Sequence, residues 1–144
     1  MIYYEKWRSV PDHACKKITG GKLSGMTDIN PMWRIKELTE AFGPCGIGWY
    51  LDNVQRWSEE AGGEKTAFVQ VELRIKIDGE WSQPIVGIGG SKLCGKGVGD
   101  GMNDEAYKMA YTDAISIACK NLGMGADVWF AKDRTKYDLS EDSQ

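Results

Sequence analysis

The stretch from Met102 to Gly123, MNDEAYKMAYTDAISIACKNLG, constrains the fold more than any other part of the chain. Ala106, Met109, Ala110, Ala114, Ile117, Ala118 and Leu122 recur at three- and four-residue spacing, which predicts an amphipathic helix of about five turns. Asn103 is a favourable N-cap, Asp104 and Glu105 place negative charge where the helix dipole favours it, and Gly123 suits a left-handed C-terminal cap. Most of the apolar stripe is alanine, so this helix can lie close against a flat surface such as a sheet. Offset from the stripe, Lys108, Thr112, Ser116 and Lys120 form a polar ridge with a cation near each end.

The residues ahead of the helix supply the sheet. Phe68 to Asp78 alternates cleanly, with Val69, Val71, Leu73, Ile75 and Ile77 on one face and Gln70, Glu72, Arg74 and Lys76 on the other. Asp78-Gly79 is a two-residue hairpin signal, and Trp81 to Ile88 returns as a third strand in which Pro84 marks an edge or a bulge. Upstream, Gly48 to Trp57 alternates as a long edge strand, and Ala61-Gly62-Gly63 turns it back. Before that, Asn30 and Pro31 open a helix with Met32, Ile35, Leu38, Thr39 and Phe42 on its stripe, closed by Gly43-Pro44. Arg34 falls off that stripe and reads as solvated. Residues 16–22 read as a short strand edge running into a glycine turn, and Tyr3, Tyr4 and Trp7 with Lys6 and Arg8 as an amphipathic opening stopped near Pro11. The fold expected is α+β: a three-stranded antiparallel sheet covered by a long C-terminal helix, a β-β-β-α core with an N-terminal helix.

Gly87 to Gly101, GIGGSKLCGKGVGDG, reads as a glycine loop whose backbone can approach a ligand, often an anion at the following helix N-terminus. Gly90 to Lys96 has the spacing of a phosphate-binding P-loop, but Gly97 stands where Ser or Thr must ligate magnesium. That substitution argues against an ATPase. His13 is the only histidine, and Cys15, Cys45, Cys94 and Cys119 are widely spaced, which argues against a zinc site, histidine-dependent catalysis and a disulfide framework. No cofactor is implied. No apolar run approaches the ~20 residues of a membrane span, and the opening MIYYEKWRSV is not a secretory signal. The net charge is −3. Its distribution is uneven: residues 1–36 carry seven Lys/Arg against three Asp/Glu, and residues 37–80 carry four against nine. The tail beyond Tyr137, DLSEDSQ, is acidic and expected to be disordered, leaving 1–137 as one domain and 138–144 as tail.

FGPCGIGWY entering the sheet, the Asp78-Gly79 hairpin, the glycine loop, Ala110-x-Thr112-Asp113-Ala114 and Leu122-Gly123 come in an order that resembles the Rad-fifty-two-type single-strand annealing superfamily. Within it, the likeness is to the phage Sak-type recombination mediators and runs from Lys16 to Tyr137. The resemblance implies ATP-independent, non-enzymatic binding of single-stranded DNA and annealing of complementary strands by a homo-oligomeric ring in the cytoplasm of a bacterial host. It also implies a basic groove that holds phosphates while the bases face outward for pairing. Arg34 falls where the family has a groove arginine, Lys108 matches a lysine early in the long helix, and Lys120 a basic residue near its end. Lys92 and Lys96 lie in the loop that resembles the family's second basic patch. Arg74 and Lys76, on the polar face of the central strand, complete the candidate DNA-binding set. The sequence departs from the family at Ser116 and Ile117, where eukaryotic members carry a Lys-Arg pair. Trp49, Tyr50, Trp57 and Trp81 are read as core or subunit-interface residues ahead of base-stacking ones. Two other readings are an interaction or assembly domain of the same fold that binds no DNA, and a nucleotide-binding enzyme using the glycine loop.

Overall fold

The computed structural model describes residues 2–20, 24–99 and 101–130. The acidic tail and the basic residues Lys132, Arg134 and Lys136 therefore lie outside the described residues. The chain forms two compact units, one built from its ends (Met1–Arg34 with Leu122–Gln144) and one from its middle (Ile35–Asn121). Among the described residues no helix is long and apolar enough to cross a membrane.

In the unit of the chain ends, helix α1 (Ile2–Trp7) buries Trp7 completely and stacks Tyr3 on it, with ring centroids 5.2 Å apart. The segment after the long helix returns here: the Gly125 amide donates to the Trp7 carbonyl and the Asp127 amide to that of Arg8, both at 2.9 Å. Strands β1 (Cys15–Lys17) and β2 (Thr27–Ile29) pair antiparallel. The partner strand β2 was not among the sequence expectations. Helix α2 (Pro31–Phe42), whose residues from Ile35 onward belong to the middle unit, starts where Asn30 predicts, with the Asn30 Oδ1 accepting the Met32 amide at 3.0 Å. Its buried residues are Trp33, Arg34 and Leu38, whereas Met32 is 64% exposed. The stripe expected through Met32 is thus rotated, and Arg34, read as solvated, is buried at 5% exposure. An arginine carries a long apolar stem that gains from burial, which a helical-wheel count of charged residues does not register.

The middle unit is the sheet and its helix. Strands β3 (Trp49–Ala61), β4 (Glu64–Ile77), β5 (Glu80–Trp81) and β6 (Ile85–Cys94) are antiparallel neighbours, with β4 central and β3 along one edge. The α+β class and the antiparallel pairing match expectation, but the sheet is four-stranded. The single third strand expected over 81–88 is broken into β5 and β6, and Pro84 lies in the break. Ser82 bridges it, accepting the Ile75 amide on its Oγ at 3.1 Å and donating its own amide to the Ile75 carbonyl at 2.8 Å. The Asp78-Gly79 turn has φ of 52° and 80°, the doubly positive pair a tight hairpin requires. On β4, Ala67, Val69, Val71, Leu73 and Ile75 are buried, while Ile77 at the end of the strand is 43% exposed.

Helix α3 (Ala106–Lys120) covers β6 and β4. It begins two residues later than Asn103 predicts, with Glu105 at the N-cap. Asn103 instead makes the preceding turn, accepting the Glu105 amide on Oδ1 at 3.0 Å and donating its own amide to the Leu93 carbonyl at 2.7 Å. The seam is Ala106, Ala110, Ala114 and Ala118, flanked by Ile115 and Cys119, all buried; Met109 is 51% exposed and Ile117 only partly covered. Gly87 and Gly89, expected in a ligand-binding loop, lie in β6 directly beneath this seam. A Cβ on Gly89 would strike the Ala110 carbonyl oxygen and the Ala114 amide nitrogen, and one on Gly87 the Ala114 carbonyl oxygen. The close backbone approach that such glycines signal is made to α3 (an alanine face on a glycine strand). The glycine loop proper begins after Cys94.

Candidate nucleic-acid interface

Arg56, Val69 and Gly89 form one row across β3, β4 and β6 on the helix side of the sheet. Helix α3 sits over the Val69–Gly89 end, so the β3 end is left open beside it. A groove of about 560 Å³ results, lined by Val54, Gln55, Arg56, Val69, Tyr107, Lys108 and Tyr111. Tyr107 and Tyr111 are one helical turn apart and Lys108 stands beside them, which places both rings and the cation along one wall.

A β-bulge puts Arg56 in that groove. Asp52 pairs with Glu72 and Gln55 with Gln70, so Asn53 and Val54 together oppose Val71. Asn53 takes the left-handed conformation (φ 46°), which asparagine tolerates better than most residues. It is held there by its amide donating to Asp52 Oδ1 at 2.9 Å and its Nδ2 to Glu72 Oε2 at 2.9 Å. The extra residue inverts the alternation of β3 beyond it. Arg56 and Ser58 then point to the helix side, and Trp57 to the far face, where it stacks on Phe68 at 5.7 Å.

Within the groove, Arg56 is exposed and makes no ion pair among the described residues. Lys108 Nζ lies 3.4 Å from Glu105 Oε1, with both side chains largely in water, so the pair is weak and readily exchanged. Tyr107 packs on Ala67, Leu93 and Ala106 and is thereby fixed. Burial, and to a lesser degree the neighbouring Cys45 thiol, pushes the Tyr111 phenol above its ordinary range. The phenol stays neutral throughout the physiological range and loses that state only above it, so Tyr111 adds no negative charge to the groove.

The other expected site residues divide by location. Lys108 begins the polar ridge, and Lys120 ends it about 18 Å away along the helix axis. Thr112 and Ser116 between them donate back to the carbonyls of Lys108 and Thr112, both at 3.1 Å. Lys92 lies in β6 and Lys96 in the turn after it; the Lys92 Nζ donates to the Lys96 carbonyl at 2.7 Å and pairs with Glu64 at 3.2 Å. Arg74 and Lys76 are on the face of the sheet away from α3. There Arg74 pairs with Asp52 at 3.2 Å, and Lys76 Nζ sits 5.5 Å from the Trp81 ring centroid. Trp81 meets Tyr50 edge-on at 4.8 Å on that same face, while Trp49 is in the core, donating its Nε1 to Thr39 Oγ1 at 3.3 Å. Arg34 belongs to the other unit and is buried.

Arg56, Tyr107 and Tyr111 were not among the sequence-derived candidates. The Tyr107-x-x-x-Tyr111 spacing around Lys108 was a usable signal; the face of Arg56 was not, because it depends on the bulge. No protein-family model matches the sequence, and neither does any curated protein.

Proposed function

We propose that the protein binds single-stranded DNA without sequence preference and anneals complementary strands without ATP, as a closed homo-oligomer. The observation that carries this reading is the groove between β3 and α3, in which Arg56 and Lys108 stand beside two tyrosine rings. Non-specific single-strand binding needs cations spaced along a backbone track and ring faces for the bases. A duplex hides those base faces, and a chain of net charge −3 offers no broad basic surface to attract it. Repeating the groove around an oligomer would lengthen the track without raising the charge of each subunit. Lys120, further along the ridge, and the Lys92–Lys96 pair are the secondary phosphate contacts in this reading. Arg34, Arg74 and Lys76 take a smaller part, since the first is buried and the other two are engaged on the far face of the sheet.

Fluorescence anisotropy with labelled oligonucleotides of equal length tests the binding. Tighter binding to single strands than to duplex at the same salt is expected; equal or tighter duplex binding overturns the reading.

Assembly has its own support. Beyond Trp49, which bridges to Cys45, strand β3 pairs only with β4 among the described residues, and the face of the sheet away from α3 exposes Trp57, Trp81, Val86 and Ile88, at 36%, 39%, 44% and 48%. Light scattering at micromolar concentration is expected to give a mass several times the 16.0 kDa of one chain. A monomer with and without DNA would remove the ring from the proposal. That same aromatic face favours the second reading, an interaction domain, in the event that no oligonucleotide binds.

A further inference from the structure

We infer that the groove between β3 and α3 is a nucleotide subsite, in which one base of the bound strand lies against Tyr111 while Arg56 and Lys108 take the flanking phosphates. The inference rests on the proposed single-strand binding and specifies what that site recognises.

A site for phosphate alone needs cations and little else. This groove has more: at about 560 Å³ it is the size of a small-ligand pocket, and four of its seven lining residues are Val54, Val69, Tyr107 and Tyr111. A ligand that matches it has a flat apolar body and an anionic end, and a nucleotide has both. The wall for the body is firm, since Tyr107 is anchored on Ala67, Leu93 and Ala106. Tyr111, one turn further along, remains 37% exposed, so its ring is available to a partner. Its phenol is neutral in the physiological range, and burial moves its ionisation further above that range, so it does not repel the adjoining phosphates. Across the groove, Arg56 is committed to no ion pair among the described residues. Stacking engages the face of a base and leaves its pairing edge free, so a base held this way remains competent for annealing.

The test compares an ordinary thymidine oligonucleotide with one of the same length in which all residues are abasic, on the full chain at fixed salt. The parent protein should bind the ordinary strand about fivefold to a hundredfold more tightly, the range for stacking of one base. Tyr111→Ala should erase most of that difference, and Tyr111→Phe should keep it. Circular dichroism checks the fold, and Tyr111→Leu, which keeps the apolar contact, replaces the alanine variant if that one does not fold. Equal binding of ordinary and abasic strands by the parent, or an undiminished difference in Tyr111→Ala, overturns the subsite while leaving single-strand binding intact. Absence of binding to either strand overturns the proposed function itself. Thymidine monophosphate that binds as tightly as the strand, with the same dependence on Tyr111, would assign the groove to free nucleotides and overturn a strand-borne subsite.

Discussion

Replacing Gly89 with valine is expected to cost about 3 kcal/mol or more of folding stability, near the top of the range for overpacking a core. A Cβ at this position meets the Ala110 carbonyl oxygen and the Ala114 amide nitrogen, which are backbone atoms of α3 and not the movable end of a side chain. The strand gains only ~0.5–1 kcal/mol from losing a flexible glycine, so the collision wins. In a chain of 144 residues the melting temperature should fall by roughly 6–12 °C. Gly20→Ala, at a site with nothing within 4 Å of the added Cβ, is the control and should melt with the parent. A Gly89→Val protein that melts within a degree or two of the parent would show that α3 does not lie on β6 at this distance. The same substitution should weaken single-strand binding. Gly89, Val69 and Arg56 share a row, so a helix pushed off Gly89 disturbs the wall that carries Tyr107, Lys108 and Tyr111.

That glycine also marks the limit of what the sequence discloses. The alternation of residues 68–78, the Asp78-Gly79 turn and the helical spacing after Asn103 are local signals, and each produces the expected element. Gly87 and Gly89 carry no local signal of that kind. Glycine density looks the same whether the backbone approaches an anion or a helix, and only the partner, some twenty residues away, separates the two. The alanine seam was the missing half of the argument: Ala110, Ala114 and Ala118 can approach closely only a strand that lacks side chains. Read together, the two segments predict each other. Read separately, one becomes a loop.

The candidate site was less legible for a different reason. A period of two tells which residues of β3 share a face only until a bulge intervenes, and the bulge at Asn53-Val54 depends on cross-strand pairing with Val71. Arg56 and Trp57 change places because of it. Arg34 was misplaced by the opposite error, in which a charged side chain off the stripe was assigned to water although it is buried. Arg74 lies on the polar face its alternation gives it, and Lys92, expected in the loop, lies in β6; their partners Asp52 and Glu64 come from other strands and reduce the charge either can offer a phosphate.

Arg56→Ala and Lys108→Ala are each expected to weaken single-strand binding about tenfold, as suits the loss of one charge-assisted hydrogen bond to a phosphate. Each should flatten the slope of log K against log salt by about 0.7, and the double variant by about 1.4. The loss should be the same for every oligonucleotide sequence, because a phosphate contact carries no base information. Stability should hold within about half a kcal/mol in either variant, since both side chains are exposed and the Lys108–Glu105 pair contributes little. The comparison with Arg74→Ala decides the location of the site. Arg74 is also a cation on the sheet, but on the face away from α3 and already paired with Asp52. If the groove holds the strand, Arg74→Ala should change the slope far less than either groove variant. If net charge alone governed binding, all three variants would lose the same amount. Parent-like affinity and slope in the Arg56–Lys108 double variant, with the fold intact, would move the strand out of the groove. The Lys92–Lys96 turn would then be the next place to test, because Lys96 has no ion pair among the described residues and Lys92 could exchange Glu64 for a phosphate.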